Sequence, residues 1–168
     1  HVLKKHDRED DRVSKTGAEL ARELLDRYDL HRVKVEPTDI GDHYDTEAKT
    51  VRLARDKYDR KTLTAVTTAA HEVSHALQDA VGYGPFVWRK NLVKAAQVTG
   101  QVGTVVLIVA PTVALISRNP VPSALIGATI YAMLVSGLAA QVVTLPTELD
   151  ASFKRALPIL QDGYIDQQ

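Results

Sequence analysis

The chain has 168 residues, enough for one domain with a real core, and its 21 Lys plus Arg balance 21 Asp plus Glu. That neutrality, with no basic stripe interleaved with aromatics, argues against a nucleic-acid partner. The absence of cysteine excludes disulfide staples and thiolate metal sites, and leaves the compartment open.

The sequence opens on His1 rather than Met, so it is read as a fragment or a trimmed chain whose upstream segments are not visible. Residues 1–14 are charge-dense and are expected to be a solvated start. Thr16-Gly17-Ala18-Glu19 fits a capping box opening an amphipathic helix with Leu20, Leu24, Leu25 and Tyr28 on one side. Val33-Lys34-Val35 and Thr50–Ala54 alternate like short strands, and residues 40–49 between them are polar and turn-like around Gly41. Asp59 or Thr62 then starts a long helix. Its buried stripe is Leu63, Val66, Ala69 or Ala70, Val73, Leu77 and Ala80, and Gly82 stops it. His1, His6 and His31 stand alone in polar surroundings and read as solvent-exposed.

That long helix carries His71-Glu72-Val73-Ser74-His75. Histidines four positions apart on a helix project from one face, one turn from each other. Two such imidazoles suit one zinc ion, and Glu72 is placed to take a proton from a zinc-activated water. The pentapeptide alone also arises by chance, so its surroundings decide its meaning.

Beyond Tyr83-Gly84-Pro85 the chain changes character. Trp88, Arg89 and Lys90 form an aromatic and cationic group of the kind found at a membrane interface. From 95 to 147 the only charged residue is Arg118, which separates uncharged runs of 23 residues (95–117) and 27 residues (121–147). About 20 apolar residues cross a hydrocarbon core. Gly100, Gly103, Gly127 and Gly137 permit close helix packing, Pro111 is expected to kink the first helix, and Arg118-Asn119-Pro120 reads as a tight turn. A transmembrane hairpin is the expectation. The alternative, a pair of core helices in a soluble all-α protein, would need more chain around them than the polar residues supply. A last helix is expected over about residues 146–160.

A hydrolytic zinc takes three protein ligands and keeps one position open. With no Cys, the third is His, Asp or Glu. Glu148 stands out because it directly follows the second apolar run, although an acidic first turn of a solvated helix would read the same way. A two-helix hairpin returns the chain to the face it left, which brings Glu148 to the side of His71 and His75. The organisation expected is therefore residues 1–90 as the N-terminal part of a catalytic domain, 91–146 as the hairpin, and 147–168 as a C-terminal helix. Arg89, Lys90, Lys94, Lys154 and Arg155 on the motif side, against Arg118 in the opposite loop, orient that side to the cytoplasm.

The ordered combination Gly41-Asp42-His43-Tyr44-Asp45, Val51-Arg52-Leu53, the stretch from Ala69 through His71-Glu72-Val73-Ser74-His75 to Asp79, and Thr144-Leu145-Pro146-Thr147-Glu148-Leu149-Asp150-Ala151-Ser152 resembles the YugP-type family of bacterial zinc-dependent membrane peptidases. The resemblance runs over residues 16–160, and a more distant one is to the HtpX-type membrane proteases. It implies a mainly α (α+β) fold: a gluzincin-like catalytic domain with a small β-sheet and the motif helix, joined to the transmembrane hairpin. It further implies one zinc per chain on His71, His75 and Glu148, Glu72 as catalytic glutamate, and a multi-pass protein of the bacterial inner membrane. Three departures stand out. Ser74 occupies a position where the family usually has Gly. The family's transmembrane helix before residue 16 and its apolar sequence after residue 160 are not present here. The Asp that supports a zinc-bound His in related gluzincins, four positions after the ligand Glu, is Ser152, which leaves Asp150 or Asp79 as candidates for that support.

The function expected is peptide-bond hydrolysis by a membrane zinc metalloendopeptidase with Glu72 as general base. His43 and Tyr44 are candidate oxyanion donors, a surface His and a packing Tyr being the plainer alternatives. The strand Thr50–Ala54 is a candidate edge on which an extended substrate adds. The partners expected are a peptide, unfolded or membrane-protein substrate and the lipid bilayer. Two other readings compete: a zinc-binding but inactive membrane scaffold or regulator, and a metal-free membrane module with a chance motif. Cleavage preference and oligomeric state are not legible.

Overall fold

In a computed structural model, residues 13–117 and 120–161 are described; His1, His6 and the Arg118-Asn119 part of the expected turn lie outside the described residues. Thr16 closes a capping box. Its Oγ1 accepts from Glu19 N at 3.2 Å, and Glu19 Oε2 accepts from Thr16 N at 2.8 Å. Two donors that a helix start leaves unpaired are thus satisfied, and helix α1 spans Gly17–Arg27. Leu20, Ala21, Leu24 and Leu25 are fully buried on one side. Tyr28, expected on that side, is instead the C-cap and is exposed.

Strands β1 (Lys34–Thr38), β2 (His43–Asp45) and β3 (Thr50–Ala54) form one sheet in the order β1-β3-β2. β1 pairs parallel to β3, with Val35 opposite Val51, and tolerates Pro37 because it is an edge strand. β2 pairs antiparallel, with Tyr44 opposite Val51. Thr50–Ala54 is therefore the central strand, and the expectation that it offers an edge to a substrate is incorrect: both of its hydrogen-bonding sides are taken. β2 lies in the segment read from sequence as a turn. It has no apolar alternation of its own and is held by its pairing, by Asp45 Oδ1 accepting from Glu47 N and Ala48 N, and by Lys49 at φ 50°.

A single turn α2 (Arg55–Tyr58) leads to helix α3 (Leu63–Ala80). Thr62 caps α3, its buried Oγ1 accepting from Ala65 N at 3.0 Å. The helix ends in a Schellman arrangement: Tyr83 N donates to Gln78 O, Gly82 N donates to Asp79 O, and Gly82 takes φ 64°. α3 is buried far beyond one stripe. Val66, Ala69, Ala70 and Val73 join the core with α1, β3 and the C-terminal segment, while Leu63 is only partly buried and Ala80 is exposed.

Among the described residues, those up to Tyr83 and those from Glu148 onward form one compact unit, and Gly84–Thr147 forms a second. The second unit consists of α4 (Gly84–Ser117, 34 residues), which runs through Pro111, and most of α5 (Val121–Leu149, 29 residues). Both helices are long and apolar enough to cross a membrane, and their apolar windows are 11% and 0% buried. Side chains such as Ile108, Leu134 and Leu138 stand exposed. Of the four glycines expected to allow close packing, only Gly103 does so: a Cβ there would lie 2.6 Å from Met133 Sδ, whereas Gly100, Gly127 and Gly137 face open space. No separate helix starts at Pro146. α5 continues through it, widens into a π-helical segment (Asp150–Ala156), and ends as α6 (Leu157–Gln161).

Candidate metal centre

His71 and His75 lie one turn apart on α3, their ring centroids 4.7 Å apart and their planes at 80°. The end of α5 brings Glu148 to the same point. Glu148 Oε2 is 3.2 Å from His71 Nε2 and 3.6 Å from His75 Nε2, and one donor atom from each of the three residues falls within 4.8 Å of the others. All three belong to the first compact unit.

The donor set fits zinc. Four ligands at about 2.0–2.1 Å from a tetrahedral ion lie roughly 3.3 Å from one another, close to the separations of Glu148 from the two imidazoles. Two imidazoles and one carboxylate leave a fourth position open, as a hydrolytic site requires.

The outward nitrogens of both rings are held. Ser152 Oγ lies 3.2 Å from His71 Nδ1. Gln78 Oε1 lies 3.0 Å from His75 Nδ1, and Gln78 Nε2 donates to Asp150 Oδ2 at 2.9 Å. Arg155 Nε donates to the same carboxylate at 2.8 Å. Asp150 and Arg155 are five positions apart, and the wider π-helical turn makes them neighbours. Of the two carboxylates considered for supporting a ligand, Asp150 reaches His75 through Gln78. Asp79 instead accepts from Tyr44 Oη at 3.0 Å and pairs with Lys49.

Sequence reasoning did not single out Gln78. Its signal is nonetheless present: a polar residue three positions past His75, on the same side of the helix, and it is fully buried. Ser74, where a Gly was expected, is also fully buried, and its hydroxyl is absorbed by donation to Ala70 O at 2.7 Å.

Glu72 is buried beside this cluster. Burial raises its carboxyl above the ordinary value against the opposing pull of the His75 and His71 imidazoles, and the Asp42 and Glu148 charges push the same way as burial. Asp42 is anchored by accepting from Ala54 N at 2.8 Å and from Lys57 Nζ at 2.6 Å, which ties the loop before β2 to the end of β3.

His43 and Tyr44 lie on β2, one of the two strands that pack against α3. His43 Nδ1 donates to Gly41 O at 2.8 Å, so that nitrogen carries a proton. The one hydroxyl proton of Tyr44 goes to Asp79. Burial, with the Asp79 carboxylate beside it, holds the phenol above its ordinary value. Neither residue is joined by a hydrogen bond to the His71, His75 and Glu148 cluster. His31 pairs with Asp26 and is exposed.

Comparison with known proteins agrees with this chemistry. The whole chain, residues 1–168, matches the family model described as "Putative neutral zinc metallopeptidase". It is similar to the "Putative membrane protease YugP" of Bacillus subtilis, with 35% identity over 153 residues that make up 90% of this chain and 64% of that protein. The chain thus spans less than two thirds of the length of that relative. No solved structure matches it.

Proposed function

Because the chain belongs to the neutral zinc metallopeptidase family, whose model it matches from end to end, we propose that it is a membrane-embedded gluzincin, a zinc endopeptidase. His71, His75 and Glu148 hold one zinc, and Glu72 is the general base. The observation that carries the reading is the meeting of three zinc-type donors from positions that flank the two charge-free runs in sequence.

Zinc, when bound, supplies a Lewis acid that polarises the scissile carbonyl and makes a water acidic near neutral pH. The buried Glu72 carboxylate accepts the proton of the attacking water and passes it to the leaving amine. His43 and Tyr44 are the candidate donors to the developing oxyanion. Tyr44 acts by releasing Asp79 and turning its hydroxyl to the oxyanion, and His43 by presenting a ring N–H.

The substrate class is an extended peptide, from an unfolded or a membrane protein. With β3 enclosed, the outer side of β2 is the strand edge next to α3 on which such a backbone adds. Helices α4 and α5 form the hairpin in the bilayer, which makes the protein multi-pass. Arg89, Lys90, Lys94, Lys154 and Arg155 orient the active site to the cytoplasm by the positive-inside tendency. The catalytic domain is the first compact unit, completed by the C-terminal helical segment.

The test is Glu72→Gln in the full chain. Zinc stays stoichiometric while cleavage of an unstructured peptide falls by about 10²–10⁴-fold, the range for a lost general base. Undiminished cleavage sinks the assignment of Glu72. A wild-type protein that holds zinc but cleaves neither peptides nor unfolded proteins points to a scaffold or regulator instead.

A further inference from the structure

Behind the two imidazoles lies a buried polar chain that peptide hydrolysis does not by itself require. Gln78 is fully buried on α3, and Asp150 is 7% exposed on the π-helical segment. The order of donors along this chain is forced. Asp150 Oδ2, accepting from Arg155 Nε, is a carboxylate oxygen with no proton to give. Gln78 must therefore present its NH2 group to Asp150, at 2.9 Å. An amide so turned directs its carbonyl oxygen to the other side, where His75 Nδ1 lies 3.0 Å away. A carbonyl oxygen only accepts, so Nδ1 carries the proton. The lone pair of His75 is then on Nε2, the nitrogen that faces Glu148.

We propose that Gln78 is a positioning residue which, oriented by Asp150, fixes His75 as the Nδ1–H tautomer with Nε2 directed at the metal position. The inference rests on the zinc site proposed above for its purpose, though not for its geometry. The Ser152 hydroxyl both donates and accepts, so it holds the His71 ring without choosing a tautomer. Interposing an amide also keeps the Asp150 charge one residue away from the imidazole, so the ring is oriented without a carboxylate directly on it.

The experiment is imidazole ¹⁵N NMR of the full chain in detergent micelles, without zinc, at a pH where the rings are neutral. It is paired with zinc affinity from chelator competition. The wild-type His75 is expected as Nδ1–H. Gln78→Met keeps the length of the side chain and removes both hydrogen bonds. His75 then becomes a mixture of tautomers, and zinc affinity falls by about 10–100-fold, the usual effect of losing such a partner. Asp150→Asn retains size but can also donate, so Gln78 is free to turn and the mixture appears again. This second variant decides the matter if the first does not fold. A purely structural role for Gln78 would lower the unfolding midpoint and leave the tautomer unchanged. His75 remaining purely Nδ1–H in the folded variants, or present as Nε2–H in the wild type, overturns the proposal. A wild type with His75 as Nδ1–H that binds no zinc would overturn the zinc site and leave the tautomer assignment standing.

Discussion

Ser152 Oγ lies 3.2 Å from His71 Nδ1 across 81 positions of sequence. The relationship matters because, in the zinc site proposed above, this hydroxyl supports His71 from its outward side. A hydroxyl supplies the contact but not the charge. It also lets the π-helical segment that carries it close against α3 without adding another carboxylate next to Glu148 and Asp150.

Ser152→Ala should accordingly weaken zinc binding, toward the lower end of the roughly 10–100-fold range for lost supporting hydrogen bonds. The effect should be smaller than that of Gln78→Met, since Ser152 does not select a tautomer. Chelator competition on the two variants side by side checks the order.

Glu148→Ala removes the third donor and leaves two imidazoles. The variant is expected to lose stoichiometric zinc at chelator concentrations that leave the wild type loaded, with the helix content unchanged by circular dichroism. Zinc retained at full stoichiometry would transfer the third ligand to another residue.

Zinc should also stabilise the fold, because it joins α3 to the end of α5 within one compact unit. A ligand that binds only the folded state at a hundred times its dissociation constant adds about 2.7 kcal/mol. The unfolding midpoint is expected to fall on zinc removal and to recover on its return. Glu72→Gln should respond as the wild type does, and Glu148→Ala should not respond.

Gly17→Ala should destabilise the catalytic unit. A Cβ at residue 17 would lie 2.3 Å from Lys57 O and 3.2 Å from Ala65 O, and backbone cannot give way as a side chain does. α1 would have to move off its neighbours, at a cost of about 1–3 kcal/mol by analogy with overpacked cores. Gly103→Ala, which meets side chains (Met133 and, at 3.2 Å, Thr129) rather than backbone, is the milder control. Thermal or denaturant unfolding of the two variants measures the contrast.

Much of the local structure is legible in the chain because its causes are local. The Thr16–Glu19 capping box and the Gly82 stop are chemistry within a few residues, and of the two starts open for α3, Asp59 and Thr62, the structure takes Thr62. The span of β3 and the two charge-free runs are equally visible, since alternation and uninterrupted apolarity are properties of short windows. His71, Glu72 and His75 are legible for the same reason: helical periodicity alone puts the two imidazoles on one face.

What lies outside that reach has a common cause. β2 has no apolar alternation, so only pairing with β3 makes it a strand, and the same pairing turns β3 from a candidate edge into the centre of the sheet. The expected start of a helix at Pro146 gives way to continuous α5 and a π-helical turn that brings Asp150 onto Arg155. Gln78 meets Asp150 over 72 positions and Ser152 meets His71 over 81. The sequence by itself determined which residues have the chemistry of a zinc site and where α1 and α3 lie, because capping and periodicity act within one or two turns. Only the tertiary structure decided which nitrogen of each imidazole is held and by what, because a buried hydrogen bond is selected by the burial of distant partners together.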